Sequence, residues 1–257
     1  MERNPALVGY FTMVRKDFIR IIRIWSQTLL PPIITTALYF AIFGAFIGSQ
    51  ISAINGFSYI QFIVPGLVMM AIITSSYMNT VSTFYFSKWQ KTIQEQLVSP
   101  MPDWVVVLGF ATGGVMRGIM VGALVVGVSL FFTHLVIFNV FIVISAAVLT
   151  SVLFSIAGLL NAVFAKSFDA ISIVPTFVLT PLTYLGGIFY SIDQLPPFFR
   201  MLSLGNPILY MVNAFRYGFL GITDVPLTLS FGIMGGLIVV LMIITLVLFK
   251  KGTGLKS

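Results

Sequence analysis

The residues able to do chemistry are few and unevenly placed. The chain carries fourteen lysines and arginines, seven aspartates and glutamates, one histidine and no cysteine in 257 residues. Without cysteine there is no thiol nucleophile, disulfide or thiolate metal site. His134 has no second imidazole for a metal and no acid near it in sequence for a hydrolytic relay, so an interfacial histidine with satisfied hydrogen bonds is the simpler account. There is no GxxxxGK[ST] and no Gly-Lys dipeptide at all, so the chain builds no phosphate cradle of that kind for ATP. The acids Glu2, Asp17, Glu95, Asp103, Asp169, Asp193 and Asp224 all fall outside the long apolar runs, where a proton- or sodium-driven carrier would place one within. Two features then stand out: Arg117, a lone charge among apolar residues, and the polar stretch 88–103, KWQKTIQEQLVSPMPD.

Both need elements to position them, and the composition says which. The chain is 58% hydrophobic and 8% charged, with a mean hydropathy of +1.06, whereas a soluble domain is about 25% charged. This is the composition of a polytopic membrane protein. A membrane span needs about 20 apolar residues. The charge-free runs 24–87, 118–165, 170–192 and 225–249 therefore hold six helices when the long ones are doubled. The net charge of +7 raises nucleic acid as a partner, but its distribution is better explained by membrane topology. No cleavable leader is expected, because a polar and partly helical stretch precedes the first apolar run.

Residues 1–27 read as a basic amphipathic helix. Leu7, Phe11, Val14, Phe18, Ile22 and Trp25 recur every three or four positions, with Thr12, Lys16, Arg20 and Arg23 on the other side, the pattern of a helix lying among lipid headgroups. A soluble helix packed on a partner has the same pattern. The first span is expected near 29–48, opened by Pro31 and Pro32 where missing amide donors cost least; the second near 59–85, kinked at Pro65. In the stretch 88–103, Trp89, Ile93 and Leu97 are four apart and share one face of a short helix, with Lys88, Lys91 and Glu95 turned elsewhere; Pro100 and Pro102 end it. Such a helix is a handle for another protein or an ordinary solvated loop. The third span, 104–132, carries Gly109, Gly113, Gly114, Gly118 and Gly122 in overlapping GxxxG frames, expected on one face and suited to close packing within the subunit or at a dimer seam. Arg117 lies beside them at mid-span, where a charge is expensive and marks pairing or function. Structural hydrogen bonding to a carbonyl, a water-filled lumen and a substrate pathway are all open to it.

The fourth span is placed at 136–164, the fifth at 171–190 with Pro175 and Pro181, and the sixth at 227–249. Eleven of the fourteen cations lie in the N-terminal segment, in 88–103, at Lys166 and in the tail 250–257, which puts both termini and the polar stretch on the cytoplasmic side. Residues 191–226 are too broken by Pro196, Pro197 and Pro207 for a regular span and too apolar for an exposed loop. Two short helices, 196–204 and 207–220, dipping into the outer leaflet as a lid satisfy both facts.

Two motifs in these places resemble a known family. The run TYLGGIFYSIDQLPPFFRMLSLGNPILYMVNAFRYG, 183–218, and the segment KTIQEQLVSP, 91–100, are similar to the outer motif and the coupling segment of the ABC-2 type permeases, the membrane subunits of bacterial ABC exporters. The family's coupling segment usually reads GTLEQLLVTP; here Lys91 replaces the glycine, and Glu95 sits one place off the common acidic position. The resemblance implies an all-α ABC-2 type exporter fold with six transmembrane helices, an N-terminal interfacial helix and two re-entrant helices between spans five and six. It implies one transmembrane domain over 1–257, spans one to five within 28–190, in a multi-pass protein of the bacterial inner membrane. It implies the permease subunit of an ATP-driven exporter, acting as a homodimer with two copies of a separate cytoplasmic ABC ATPase that holds ATP and Mg, this chain binding no cofactor and no nucleic acid. By the same resemblance Thr92, Glu95, Leu97, Ser99 and Pro100 contact the ATPase, and Gly186, Gly187, Pro196, Pro197, Asn206, Pro207 and Arg216 belong to the outer lid or gate. Other readings of the residues are a non-transporting scaffold, a secondary transporter and, more remotely, an intramembrane hydrolase.

Overall fold

The computed structural model describes residues 5–48, 53, 54 and 56–254, without the side chains of Ala45, Ile47 and Leu97. Its described residues are helical throughout, apart from turns and one isolated bridge between Ile54 and Phe57. In chain order they are α1 (Pro5–Arg23), α2 (Trp25–Thr28), α3 (Leu30–Tyr39) running on as a π-helical stretch (Phe40–Ile47), α4 (Tyr59–Trp89), α5 (Thr92–Val98), α6 (Asp103–Ser129), α7 (Val140–Phe164), α8 (Phe168–Val174), a π-turn (Pro175–Leu179), α9 (Thr180–Tyr184), α10 (Pro197–Leu204), α11 (Pro207–Leu220) and α12 (Leu227–Lys251).

Local signals set many of these boundaries. Ser58 and Gln61 form a reciprocal capping box at the start of α4, and the Gln61 side chain accepts from the Ser58 amide at 3.1 Å. Asn139, Ser167 and Asn206 cap α7, α8 and α11 by accepting backbone amides. Helix α4 is assigned without interruption through Pro65. Among the described residues, five helical stretches are long and apolar enough to cross a membrane: Trp25–Gly44, Tyr59–Trp89, Asp103–Ser129, Val140–Phe164 and Leu227–Lys251. The expected fifth span, 171–190, is instead a shorter apolar stretch, Phe168–Tyr184, about 25 Å long at 1.5 Å per residue. The fourth starts at Val140, four residues later than expected at 136, since 134–137 run without helix.

The architecture is organised on α4, which packs along α6 and α7 and also meets α11, α3 and α8. In its most apolar window 78% of residues are buried, against 11% for α12, so α4 is the axis and α12 turns mostly outward. Where α4, α6 and α7 meet, small buried polar side chains gather: Ser76 and Thr80 of α4 with Ser151 and Ser155 of α7, around Gly114 and Gly118 of α6. Glycines let the backbones approach there. A methyl on Gly114 would stand 2.8 Å from the Ser76 carbonyl oxygen, and one on Gly158 would stand 2.6 Å from that of Tyr77. The glycines of α6 thus pack inside the subunit, but on two faces rather than the single one expected: Gly109 and Gly113 meet Met13 and Asp17 of α1, while Gly114, Gly118 and Gly122 meet α4 and α7. The reason is that 109/113 and 114/118 are separate frames, rotated against one another around the helix.

Helix α1 lies on α6 with Leu7, Phe11, Phe18 and Ile22 exposed, as an interfacial helix requires. Arg20 departs from the expected cationic face. It turns inward, donating to Asn79 Oδ1 at 2.8 Å and to Thr83 Oγ1 at 2.6 Å, and pairs with Asp17 at 3.5 Å.

Gly158→Ala must push a carbonyl of α4 aside, and should lower stability by about 1–3 kcal/mol. Gly236→Ala in α12 meets nothing within 4 Å and should be neutral or slightly stabilising. Thermal unfolding in detergent distinguishes the two; equal midpoints would remove the close α4–α7 contact.

Candidate functional site

Three places hold the residues singled out above. The first is α5. Helix α4 ends at Trp89, and the chain reverses direction through Lys91, which adopts φ +62°. This is the position where the resembled family carries glycine, and the left-handed backbone is the physical reason for that preference. The turn also corrects the expected face: Trp89 belongs to α4 and lies exposed, whereas Ile93 in α5 is buried. Thr92 Oγ1 donates to the Ser87 carbonyl at 3.2 Å, tying α5 to the last turn of α4, and Ser99 Oγ donates to the Gln96 carbonyl at 2.6 Å at the other end. Between these ties Glu95 and Val98 are exposed, as is Pro100 just beyond them. The side chain of Leu97 lies outside the described residues.

Lys88 was expected to face water. Its ammonium instead donates to the carbonyls of Val163 and Ala165 at 2.9 and 3.1 Å, closing the C-terminus of α7 where the helix dipole favours a cation. Tyr85 and Trp89 meet the Phe168 ring edge-on at 4.9 and 5.8 Å. The end of α4 that carries α5 is therefore fastened to the end of α7 and the start of α8.

The second place surrounds α11. Pro207 occupies its first turn and Asn206 caps it, while Asn206 Nδ2 reaches back to the Leu182 carbonyl at 2.5 Å. Arg216, buried, donates to the carbonyl of Gly187, lies 3.9 Å over the Phe62 ring centroid of α4 and pairs with Asp224 at 3.6 Å. Asp224 accepts from Ser191 Oγ at 2.8 Å. Gly187 itself has φ +71° and needs no side chain there. Gly186, Gly187, Asn206, Pro207 and Arg216 are thus gathered around one buried helix, whereas Pro196 and Pro197 stand apart at the start of α10. Asp224 and Asn213 escaped notice in the sequence. The Asn213 side chain donates to the Val225 carbonyl and Ser230 and accepts from the Asp224 amide. A base and an acid eight residues apart, with an asparagine one turn before the base in a proline-started helix, were the available signal.

The third place is Arg117, at the middle of α6. Its Nη2 donates to the Thr28 carbonyl at 2.9 Å. That carbonyl would bond the amide four residues on, but position 32 is proline and has no amide hydrogen. Arg117 thus supplies the donor that Pro32 lacks. Its Nε is buried without a hydrogen-bond partner among the described residues. The side chain borders a cavity of about 460 Å³ between α3 and α4, walled by Thr35, Tyr39, Leu67, Met70 and Ser75 among others. Near the α1 end of α4, burial pushes the Asp17 carboxyl above the usual carboxylate range, with Arg20 pulling the other way.

Helical hub, polar stretch and buried α11 all lie within residues 9–220, which match the family model described as ABC-2 type transporter. The chain belongs to the ABC-2 type transporter family. It is similar to the "Inner membrane transport permease YadH" of Escherichia coli K12, at 56% identity over 242 residues, covering 94% of each chain. "Nodulation protein J" of Rhizobium leguminosarum bv. viciae is 23% identical over 236 residues, covering 88% of this chain and 90% of that one. As an ABC-2 member the chain is a membrane subunit of an ABC transporter.

Asp224→Asn leaves the Arg216 guanidinium without its anion and should cost about 3–5 kcal/mol. Asp193→Asn, at the exposed pair with Arg200 at 3.1 Å, should cost under about 1 kcal/mol. Thermal midpoints in detergent read both, and an Asp224→Asn effect no larger than that of Asp193→Asn would dissolve the buried anchor.

Proposed function

We propose that this chain is the permease subunit of an ATP-driven exporter in the bacterial inner membrane. Two copies form the pathway, each with six spans counting Phe168–Tyr184, and two copies of a cytoplasmic ABC ATPase similar to YadG drive them. Both termini and α5 face the cytoplasm. The observation that carries the proposal is the placement of α5: Glu95 and Val98 are exposed on a short helix, with exposed Pro100 just beyond its end, and Thr92 ties it to the end of α4, the most buried of the five long apolar helices.

The mechanism follows from that linkage. Nucleotide-driven closure of the ATPase pair displaces α5; α4 moves with it, and Lys88 carries the displacement into α7. The two ATPase states must hold α5 with different affinity, because equal affinity shifts no equilibrium. ATP and Mg reside on the partner, and this chain binds no cofactor. At the other end α10 and α11 act as re-entrant lid helices, with Arg216 fixing the turn at Gly186 and Gly187 to α11. The name "transport permease" borne by the YadH relative supports the transport reading over a scaffold.

Reconstitution with the cognate ATPase in proteoliposomes tests it. Glu95→Ala, Leu97→Ala and Pro100→Ala should each cut export at least about tenfold, a loss of about 1.4 kcal/mol in coupling, while the protein stays folded and the ATPase still turns over. Normal coupled export in all three would remove α5 from the mechanism. Because the chain has no cysteine, a single Glu95→Cys gives a background-free label, which should react from the cytoplasmic side only.

A further inference from the structure

The cavity beside Arg117 has properties that packing alone does not need. None of its lining residues is acidic, and no described acid pairs with Arg117. Two buried polar atoms on its wall, Arg117 Nε and Ser75 Oγ, have no hydrogen-bond partner among the described residues. A guanidinium held away from water without a counter-charge is costly, and an anion is the ligand that relieves it most, through charge-assisted hydrogen bonds. The α4 side of the wall offers an apolar strip, Leu67, Met70, Ala71 and Met78, among the polar Gln27, Thr36, Tyr39 and Ser82, while Pro31, Thr35 and Thr74 at the rim are exposed, so the cavity opens sideways out of the bundle. Ser82 lines both this cavity and a neighbouring one of about 440 Å³ that contains Lys16 and the paired Asp17 and Arg20.

We propose that this cavity is the cargo site for an anionic amphiphile, whose phosphate or carboxylate is held by Arg117 and Ser75 and whose chain lies against Leu67, Met70 and Met78. The assignment rests on the exporter reading for the word cargo, but not for the binding itself. The tie from Arg117 to the Thr28 carbonyl uses only Nη2 and leaves the rest of the guanidinium without a partner that would compete with the ligand.

Binding is measured on the permease alone, in nanodiscs of zwitterionic lipid, with dodecyl phosphate, dodecyl trimethylammonium and inorganic phosphate as probes. Dodecyl phosphate should bind at least about tenfold more tightly than either of the others. Arg117→Gln keeps a donor for Thr28 and removes the charge; it should weaken dodecyl phosphate at least tenfold with little change in thermal midpoint. Arg117→Lys should retain most of the affinity, and Thr74→Phe, which fills the cavity from its exposed rim, should abolish it. With the ATPase present, dodecyl phosphate should stimulate turnover in the wild type and not in Arg117→Gln. Equal binding of the cationic probe, equal binding of inorganic phosphate, or unchanged binding in both Arg117→Gln and Thr74→Phe would overturn the site. Binding without stimulation, in a complex whose export is still cut by Glu95→Ala, would overturn its role as cargo. Failure of the α5 variants to uncouple export would instead strike the coupling mechanism and leave the binding result standing.

Discussion

The close approach of α4, α6 and α7 is the constraint from which the rest follows. In a bilayer lipid tails are as apolar as leucine, so helices gain little by burying leucine against leucine; contact between backbones and polar side chains must hold them. This chain meets that condition by placing Gly114 and Gly118 of α6 and Gly158 of α7 against the serines, threonines and carbonyls of α4. Side chains of ordinary size at those positions would separate the helices. The fit makes α4 a stiff central rod rather than one member of a loose ring.

A second constraint is that four of the described cations tie separate elements together. Lys88 closes α7, Arg20 bridges α1 to Asn79 and Thr83, Arg216 holds Gly187 and Asp224, and Arg117 replaces the donor missing at Pro32. Each tie joins elements far apart in sequence, and three of the four end on a backbone carbonyl. Carbonyls left unpaired at helix ends and before prolines are the acceptors such a chain has in surplus, since its acids are few.

These ties suit a machine moved from one end. The exposed part of α5 is small, but its anchor on α4 and the Lys88 link to α7 give a displacement there two helices to act on. At the opposite end α11, packed on α4, α7 and α12, is stiffened by Asn206, Asn213 and Arg216. Such bonds would make the proposed lid move as a body with its neighbours.

Much of this was legible without coordinates. Hydropathy alone gave the membrane class and most spans, because a run of some twenty apolar residues has few other uses; the prolines at 197 and 207 marked the starts of α10 and α11, and the two motifs marked the family. What the chain does not reveal is which way a side chain turns once its helix has a neighbour. Arg20 and Lys88 sit in patterns that look solvent-facing, the glycines of α6 look like one stripe, and Trp89 looks like a partner of Ile93; each was redirected by packing or by a single left-handed residue, Lys91. Sequence periodicity fixes angular position around one helix. Only the tertiary structure decides which of those angles faces a carbonyl, an acid or lipid, because the low dielectric of the membrane makes a polar group's environment depend on contacts between segments far apart in the chain.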